Sequence, residues 1–396
     1  MASITQPQTA RASRPRRRIY RWLAAIVIVV LLYWSPDAWR WIQDLRRAAP
    51  PALARSFDGP SLQLAQTQIV PTLDTPLEKG KNVIWCASFQ LAWKRLQSDV
   101  AREPIRLTSG AAATTRLNEA ADPSPDLPPD TYYAAAGPVQ SGVIQRIQAE
   151  MKSRFPAAAM PSFPGAAPDG HVAYAFLQTQ SRFSIPYFEN RQPLQFSDSG
   201  GKRTPVRSFG IRSEDEYAYK KLRQQVKILY CARDERFQVT GCAIDLCRDS
   251  QPDQIVVARV PQGSSLAETL ATVETCIAQP KSEPHEDELG VNDTLLVPDM
   301  FWRIAHRFGE LEGERFLNSA MEGQLLQQAL QDIEFRLDRN GAELRTEAKA
   351  VCLPIPTHFE LDGPFLLYMR KRGAAQPFLV VWVDNAELLQ PWRAGS

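Results

Sequence analysis

The side chains that could do chemistry are six cysteines and four histidines, and their spacing matches no catalytic or metal-binding motif. Cys242 and Cys247 are separated by four residues, which is too loose for a zinc knuckle. The sequence also lacks the glycine-rich loops that bind nucleotides and the Gly-x-Ser-x-Gly turn of serine hydrolases. We therefore predict no enzyme activity, no catalytic residue, no metal and no cofactor. The histidines lie far apart, at His171, His285, His306 and His358.

The cysteines leave two redox states open. If the body of the protein is exported, an oxidising compartment allows disulfides, and Cys231 with Cys242, or Cys242 with Cys247, could join across a hairpin. The alternative is that the cysteines are buried thiols, which pack as small apolar side chains. The sequence alone does not decide between these states. The six are Cys86, Cys231, Cys242, Cys247, Cys276 and Cys352.

Length and composition indicate a folded protein with a large apolar core. The chain has 396 residues, 44% apolar and 23% charged, and its mean hydropathy is −0.30. These values exclude a disordered, fibrous or multi-span membrane protein. The net charge of +2 is unevenly distributed, because residues 1–55 hold ten arginines against two aspartates, or +8, which leaves −6 for the remainder. A mildly acidic body predicts no nucleic-acid partner.

The N-terminal segment has the pattern of a single membrane anchor. Residues 1–18 form an arginine-rich polar tail, and residues 19–42 contain the long apolar run of the sequence. Trp22 and Trp34 bound its uncharged stretch, as expected for side chains at the two membrane interfaces. Because arginines favour the inner side, the tail would be cytoplasmic and the C-terminal domain extracytoplasmic. The anchor residues are Trp22, Leu23, Ile26, Val27, Ile28, Leu31 and Trp34.

Two other interpretations of this segment stay open. The sixteen residues from Ile19 to Trp34 would span about 24 Å as a helix, which is less than the ~30 Å hydrocarbon core of a membrane. The short uncharged run from Trp22 to Trp34 also fits a cleaved signal peptide. Against a signal peptide, the first small-x-small site lies far downstream, at Ala52 and Ala54. A buried core helix is disfavoured by the arginines that precede the run. With an anchor, residues 43–61 are a linker and residues 62–392 the folded domain.

The remaining sequence predicts a mixed α/β (α+β) domain. Residues 82–97 begin as a strand and continue at helical spacing. A helix is expected over residues 265–277, capped by Ser264. Two apolar, β-rich runs at residues 365–370 and 378–383 predict buried, adjacent antiparallel strands near the C-terminus. Strands and helices alternate irregularly, which excludes a regular β-α repeat.

Several short motifs, in a shared order along the chain, resemble the serpin family over residues 62–392. Residues 335–343 (FRLDRNGAE) are similar to the serpin strand-and-hinge signature I-E-V-N-E-E-G-T-E, and residues 359–370 (FELDGPFLLYMR) resemble the segment after the reactive loop. Residues 378–383 (FLVVWV) resemble the last buried strand, and residues 82–85 (NVIW) resemble the N-V-V-F before the central helix.

The resemblance implies a serpin-like fold, with a large central, mostly antiparallel sheet, smaller sheets and about eight helices. It also implies an exposed reactive loop, which inhibitory serpins offer to a protease as bait and insert into the central sheet after cleavage. Two prolines and the lack of a helical period independently predict an exposed, extended segment there. The hinge residues are Gly341, Ala342, Glu343 and Leu344. The reactive-loop residues are Lys349, Val351, Cys352, Leu353, Pro354, Ile355 and Pro356.

Departures from the family pattern bear on whether the chain inhibits. The family hinge continues with small residues, whereas Leu344 is bulky, and overfilling a packed slot costs ~1–3 kcal/mol. The family's sheet-opening histidine and asparagine are replaced by Gln331 and Ala173. One hypothesis is a membrane-anchored serpin-like protease inhibitor, and the other is a non-inhibitory serpin-fold binding or scaffold module of the cell envelope. The expected partners are a protease and the membrane, and we expect a monomer.

Overall fold

The computed structural model describes residues 54–179, 181, 183–212, 222–248, 253–279, 287–290, 292–339 and 357–393. The described residues from Arg55 onward form one compact unit. Within these ranges no helix is both long enough and apolar enough to cross a membrane. Three groups of predicted site residues lie outside the described ranges: the anchor residues Trp22, Leu23, Ile26, Val27, Ile28, Leu31 and Trp34; the hinge residues Gly341, Ala342, Glu343 and Leu344; and the loop residues Lys349, Val351, Cys352, Leu353, Pro354, Ile355 and Pro356.

The described chain forms eighteen strands and four α-helices. The strands are β1 (Phe57–Pro60), β2 (Thr67–Ile69), β3 (Asn82–Cys86), β4 (Tyr132–Pro138), β5 (His171–Leu177), β6 (Phe188–Glu189), β7 (Leu194–Ser197), β8 (Arg203–Val206), β9 (Ser208–Ile211), β10 (Lys227–Arg233), β11 (Val239–Asp245), β12 (Asp253–Arg259), β13 (Thr294–Pro298), β14 (Met300–Arg307), β15 (Leu330–Leu337), β16 (His358–Glu360), β17 (Phe365–Lys371) and β18 (Leu379–Val383). The helices are α1 (Ala87–Arg95), continued by a π-helical segment (Leu96–Ala101), α2 (Ala112–Glu119), α3 (Val143–Arg154) and α4 (Leu266–Ile277).

The largest sheet has seven strands in the order β10-β11-β12-β17-β18-β3-β2. Its central strands are almost entirely buried, because both faces are covered and their sequences are continuous apolar runs. The two C-terminal strands expected from the sequence are adjacent and antiparallel, with Phe365 opposite Val383. The expected large sheet within a mixed α/β fold is therefore confirmed.

A three-stranded sheet, β1-β14-β15, lies apart from the large sheet in the pairing pattern. β14 and β15 are antiparallel over eight residue pairs, and β1 runs parallel to β14. β1 lies in the segment expected to be linker, so the C-terminal part of that segment is a strand. The other sheets are the pair β4-β5, the pair β7-β8 and the four-stranded sheet β16-β13-β9-β6.

The expected number of about eight helices is wrong for the described residues, which contain the four α-helices, one π-helical segment and a short helical stretch at residues 222–225. Two stretches rich in proline, residues 120–131 and 155–170, run mainly as turns and short 3-10 segments. Proline lacks a backbone N–H and clashes with the preceding helical turn, so such stretches cannot extend a helix. The family pattern implies more helices than these proline-rich stretches allow.

Candidate functional site at the β5 and β15 edges

The residues on either side of the segment 340–356 are held by specific hydrogen bonds. On the N-terminal side, Tyr187 N donates to Arg339 O at 2.9 Å, and Arg339 Nε donates to Tyr187 O at 2.8 Å. On the C-terminal side, Thr357 N donates to Asp293 Oδ1 at 2.7 Å, and an Arg233 guanidinium nitrogen donates to Thr357 Oγ1 at 3.0 Å. The segment thus leaves from the end of β15 and returns into β16 between two fixed points.

Hydrogen bonds connect the chain before β5 with the chain before β15, and the chain after β5 with the chain after β15. His171 Nδ1, at the start of β5, lies 2.7 Å from Oε1 of Gln324, six residues before β15. Gln328 Nε2, two residues before β15, donates at 3.3 Å to the carbonyl oxygen of Pro164, seven residues before β5. Beyond their ends, the Tyr187–Arg339 bonds connect the two chains. Because the residues that precede the two strands contact each other, and the residues that follow them also contact each other, β5 and β15 run in the same direction.

Between these connections, each of the two strands has one ladder partner in the described structure. β5 pairs with β4, and β15 pairs with β14. Both strands pack over α1, which contacts β4, β5 and β15. An unpaired edge presents backbone N–H and C=O groups that can add another strand. The two edges, with α1 beneath them, therefore form a candidate strand-accepting site.

The side chains of β15 alternate strictly, as required of a strand over an apolar layer. Gln331, Ile333, Phe335 and Leu337 are buried, while the residues between them are exposed. A strand added beside β15 would follow the same pleat and direct every second side chain into the layer above α1. The size of those inward side chains would therefore decide how well such a strand fits.

Gln331 connects β15 to the beginning of α1, which sequence reasoning did not find. Its Nε2 donates to Cys86 O at 3.0 Å and to Ser88 Oγ at 2.9 Å. The side chain is 5% exposed, and Gln331 Oε1 has no partner among the described residues. The sequence indicated a lost family histidine at this position, but the structure shows that glutamine makes a strand-to-helix contact with Ser88. Gln331 and Ser88 are 243 positions apart in the sequence, so no local sequence pattern predicts their contact.

A second polar group lies where β15 ends. Asp299, between β13 and β14, is 3% exposed, and its Oδ2 lies 3.5 Å from Arg207 Nε. Arg207 also pairs with Glu189. Burial raises the pKa of the Asp299 carboxyl to about 7, Arg207 lowers it in part, and the nearby Asp338 and Glu189 raise it further. Asp299 is therefore a proton-binding group next to the start of the segment 340–356.

The histidines do not assemble into a catalytic group in the described structure. His171, His306 and His358 lie on three different strands, β5, β14 and β16. His306 Nδ1 lies 2.7 Å from Ser61 Oγ, and burial lowers the pKa of this imidazole to about 4. Among the described residues, no group of three or more His, Cys, Asp or Glu side chains is arranged to hold a metal ion.

Comparison with known proteins gives a likeness of fold. No protein-family model matches the sequence, and no curated protein matches it. Among solved structures, the chain is similar to thyroxine-binding globulin in complex with thyroxine, with 11% identity, a TM-score of 0.47 and coverage of 78% of this chain and 93% of that one.

Two further solved structures show the same likeness. The mouse protein Z-dependent protease inhibitor is 13% identical, with a TM-score of 0.46 and coverage of 77% of this chain and 91% of that one. Serpin48 of the insect Tenebrio molitor is 11% identical, with a TM-score of 0.42 and coverage of 77% and 92%. These structures are serpins, the family that the sequence motifs resemble, and at this level of identity the likeness is one of fold alone.

Replacing Gln331 should measure the contact between β15 and α1. We expect Gln331→Ala to lower the free energy of unfolding by about 1–3 kcal/mol, because two half-buried acceptors, Cys86 O and Ser88 Oγ, lose their donor. Ser88→Ala should cost less, since the bond to Cys86 O remains. Urea unfolding of both single variants and of the double variant would give their coupling. A loss below ~0.5 kcal/mol for Gln331→Ala would show that the contact does not hold β15 in place.

Asp299 should make stability depend on pH. Its ordinary pKa is 3.8 and its folded pKa is about 7, so the folded protein binds a proton that the unfolded chain has released. The contribution of this group is fully present below about pH 4 and is lost as pH rises through 7. We expect Asp299→Asn to flatten the pH dependence of unfolding between pH 4 and 8, measured by urea titration. Asp332→Asn, at an exposed carboxylate of β15, is the control that should leave the slope unchanged. An unchanged slope in Asp299→Asn would contradict the assignment.

Proposed function

We propose that this chain is a serpin-like protein that engages a protease through residues 340–356. The observation that carries the proposal is that β5 and β15 each have one edge without a ladder partner in the described structure, while hydrogen bonds connect the segments before the two strands and the segments after them. The segment 340–356 follows directly on the second of these connections, at Arg339. The motifs before and after this segment resemble the strand, hinge and return segment of the serpin family. Together they support a bait loop next to a place that can take a strand.

The direction of the chain suits this role. A segment that leaves the end of β15 and folds back between the two edges would run antiparallel to β15, and also to β5, since those strands run the same way. Antiparallel pairing satisfies the backbone groups of both edges. A cut at or after Lys349 leaves at least the ten residues 340–349 attached to β15, which has eight residues. This length is sufficient to line the edge after cleavage.

Leu344 limits what insertion could achieve. In this proposal it would point toward the layer above α1, where a small side chain is expected, and overpacking costs ~1–3 kcal/mol. Each net backbone hydrogen bond returns only about 0.5–1.5 kcal/mol. Inhibition by this route is a race between insertion and completion of hydrolysis. We therefore propose that the chain acts mainly as a protease substrate or binding module, with weak inhibition or none.

The same proposal includes the cellular setting. The arginine-rich tail and the apolar run bounded by Trp22 and Trp34 support a single-pass anchor with the folded domain outside the cytoplasm. We propose that the domain acts as a monomer at the membrane surface. We further propose that it acts without a catalytic residue of its own.

The direct test is incubation of the full chain with a panel of serine and cysteine proteases. We expect cleavage within residues 340–356 and little or no complex that survives SDS. A stoichiometric SDS-stable complex would restore full inhibitor status. Failure of every protease to cleave within 340–356, while other exposed segments are cut, would refute the bait loop itself.

Leu344→Ala should show whether the bulky side chain at this position limits insertion of the cleaved loop. We expect cleavage of the wild type within the loop to raise its melting temperature little, and cleavage of Leu344→Ala to raise it more, because the small side chain no longer overfills the layer. Exposed Leu330, 53% accessible on β15, gives a matched control, since Leu330→Ala should behave like the wild type. A rise beyond ~20 °C in the cleaved wild type would overturn the proposed barrier to insertion.

The orientation of the anchor should follow its arginines. A reporter fused after Ser396 should be detected outside the cytoplasm, because positive residues keep the tail inside. Replacing Arg16, Arg17 and Arg18 with glutamate should weaken that orientation. A cytoplasmic C-terminus in the unmodified chain would refute the orientation without bearing on the bait loop.

A further inference from the structure

Cys231 and Cys242 lie directly opposite each other on β10 and β11, the two strands of one antiparallel hairpin. Opposite residues in such a pair direct their side chains to the same face of the sheet. Antiparallel pairs alternate between hydrogen-bonded and non-hydrogen-bonded positions, and the second kind brings the Cα atoms closer, to about 4.5 Å. The kind of pair therefore decides how well a disulfide fits.

Hydrogen bonds to the neighbouring strand show that this is the closer kind of pair. Leu246 N donates to Ile255 O at 2.9 Å, toward β12. Backbone groups alternate sides along a strand, and the β11–β12 register is regular, so the backbone groups of Cys242 also point to β12 and away from β10. The Cys231–Cys242 pair is therefore non-hydrogen-bonded. Its expected Cα separation of about 4.5 Å falls within the 4.4–6.8 Å found in disulfides.

The backbone of β10 leads to the same conclusion. Ile228 lies opposite Ile244. Ile244 is two residues from Cys242 on β11, so the backbone groups of these two residues point to the same side of the strand. Ile228 N donates to Asp287 O at 2.9 Å, outside the hairpin. The Ile228–Ile244 pair is thus also non-hydrogen-bonded. The register of β10 shifts by one residue between Ile228 and Tyr230, so Cys231, three residues further on, has the same relation to β11.

Other pairings of these cysteines are disfavoured by geometry. Cys242 and Asp245 are three strand residues apart, roughly 10 Å, and Cys247 lies in the turn beyond Asp245. A disulfide cannot span more than about 7 Å between Cα atoms. Cys276, near the end of α4, hydrogen-bonds the side chain of Tyr230. Tyr230 precedes Cys231 in β10, so its side chain points to the opposite face. The two pairings left open by the sequence are thus reduced to one.

We propose that Cys231 and Cys242 form a cross-strand disulfide when the chain meets a low-molecular-weight disulfide. The described cysteines are not joined in disulfides. Cys231 is half-buried and Cys242 is 2% exposed, so the Cys231 thiolate attacks a sulfur of the small disulfide first and releases one small thiol. The Cys242 thiolate then attacks Cys231 Sγ and releases the second. Two protein thiols are oxidised, one small disulfide is reduced to two thiols, and the two thiol protons pass to the released thiolates.

The bond would brace the strand that contacts the return of the segment 340–356. Arg233, two residues after Cys231, donates to Thr357 Oγ1 at 3.0 Å. Cross-linking β10 to β11 limits opening of the hairpin and thus holds this contact in place. The inference stands on the hairpin alone and does not depend on the proposed function.

The test uses the full chain with oxidised glutathione as the probe. After oxidation, denaturation, alkylation and tryptic digestion, we expect residues 228–233 joined to residues 237–248. The second peptide also contains Cys247, so fragment ions must place the bond at Cys242. Reduction should remove the linked peptide and lower the melting temperature by about 5 °C.

Three cysteine variants make the test decisive. Cys247→Ser removes the ambiguity in the second peptide and should keep both the link and the melting-temperature difference, as should Cys276→Ser. Cys231→Ser should lose both. A wild type that retains both thiols after oxidation, or that links Cys242 to Cys247 or Cys276, would overturn the proposal.

Discussion

In the described structure, β15 is paired with β14 along one edge, whereas along its other edge the chain is held only just before and just after the strand. Its ladder to β14 is complete over eight pairs. On its other side, connections occur before its start and beyond its end, through Gln328 and Arg339. Backbone groups without ladder partners favour either water or another strand. The polar contacts around β15 can be understood as the means by which it is held in this state.

These contacts hold β15 from three directions. Beneath it, Gln331 connects the strand to the beginning of α1. At its outer surface, Glu334 pairs with Arg55, which precedes β1, at 2.9 Å. Near its end, Asp338 lies close to the buried Asp299–Arg207 group. Because these groups belong to different elements, a change in β15 is felt by the first helix, the N-terminal strand and the four-stranded sheet together.

Much of the architecture could be predicted from local pattern, because burial leaves its signature in consecutive residues. The change from strand to helix after residue 86, and the adjacent C-terminal strands, follow from apolar periodicity. The predicted N-cap of α4, Ser264, was wrong by one residue. The cap is Ser265, whose side chain accepts a hydrogen bond from Glu268 N, whereas Ser264 Oγ donates to the Glu268 carboxylate. Two adjacent serines satisfy the same capping pattern, and the side-chain contacts decide between them.

The candidate site was less predictable, because its groups are brought together from distant parts of the chain. Gln331 with Ser88, and Asp299 with Arg207, are separated by 243 and 92 residues. β1 is four residues long and reads as linker by itself, since it is a strand only by pairing with β14. Such contacts depend on topology rather than on local propensity. A family motif can show where a residue was replaced, but not what the replacement contacts.

The two sides of the candidate site differ in how they could move. β15 is one edge strand of a three-stranded sheet in which β1 is the other edge strand. β5 instead belongs to a two-stranded unit that shares a small separate core with α3, formed by residues such as Val143, Ile147 and Val172. A two-stranded sheet has little stability of its own and depends on the layer it packs against. If a strand is to enter between the edges, a shift of β4, β5 and α3 together keeps their shared core and the eight-pair ladder of β14 and β15 intact. The contacts that such a shift disturbs are those of β4 and β5 with α1.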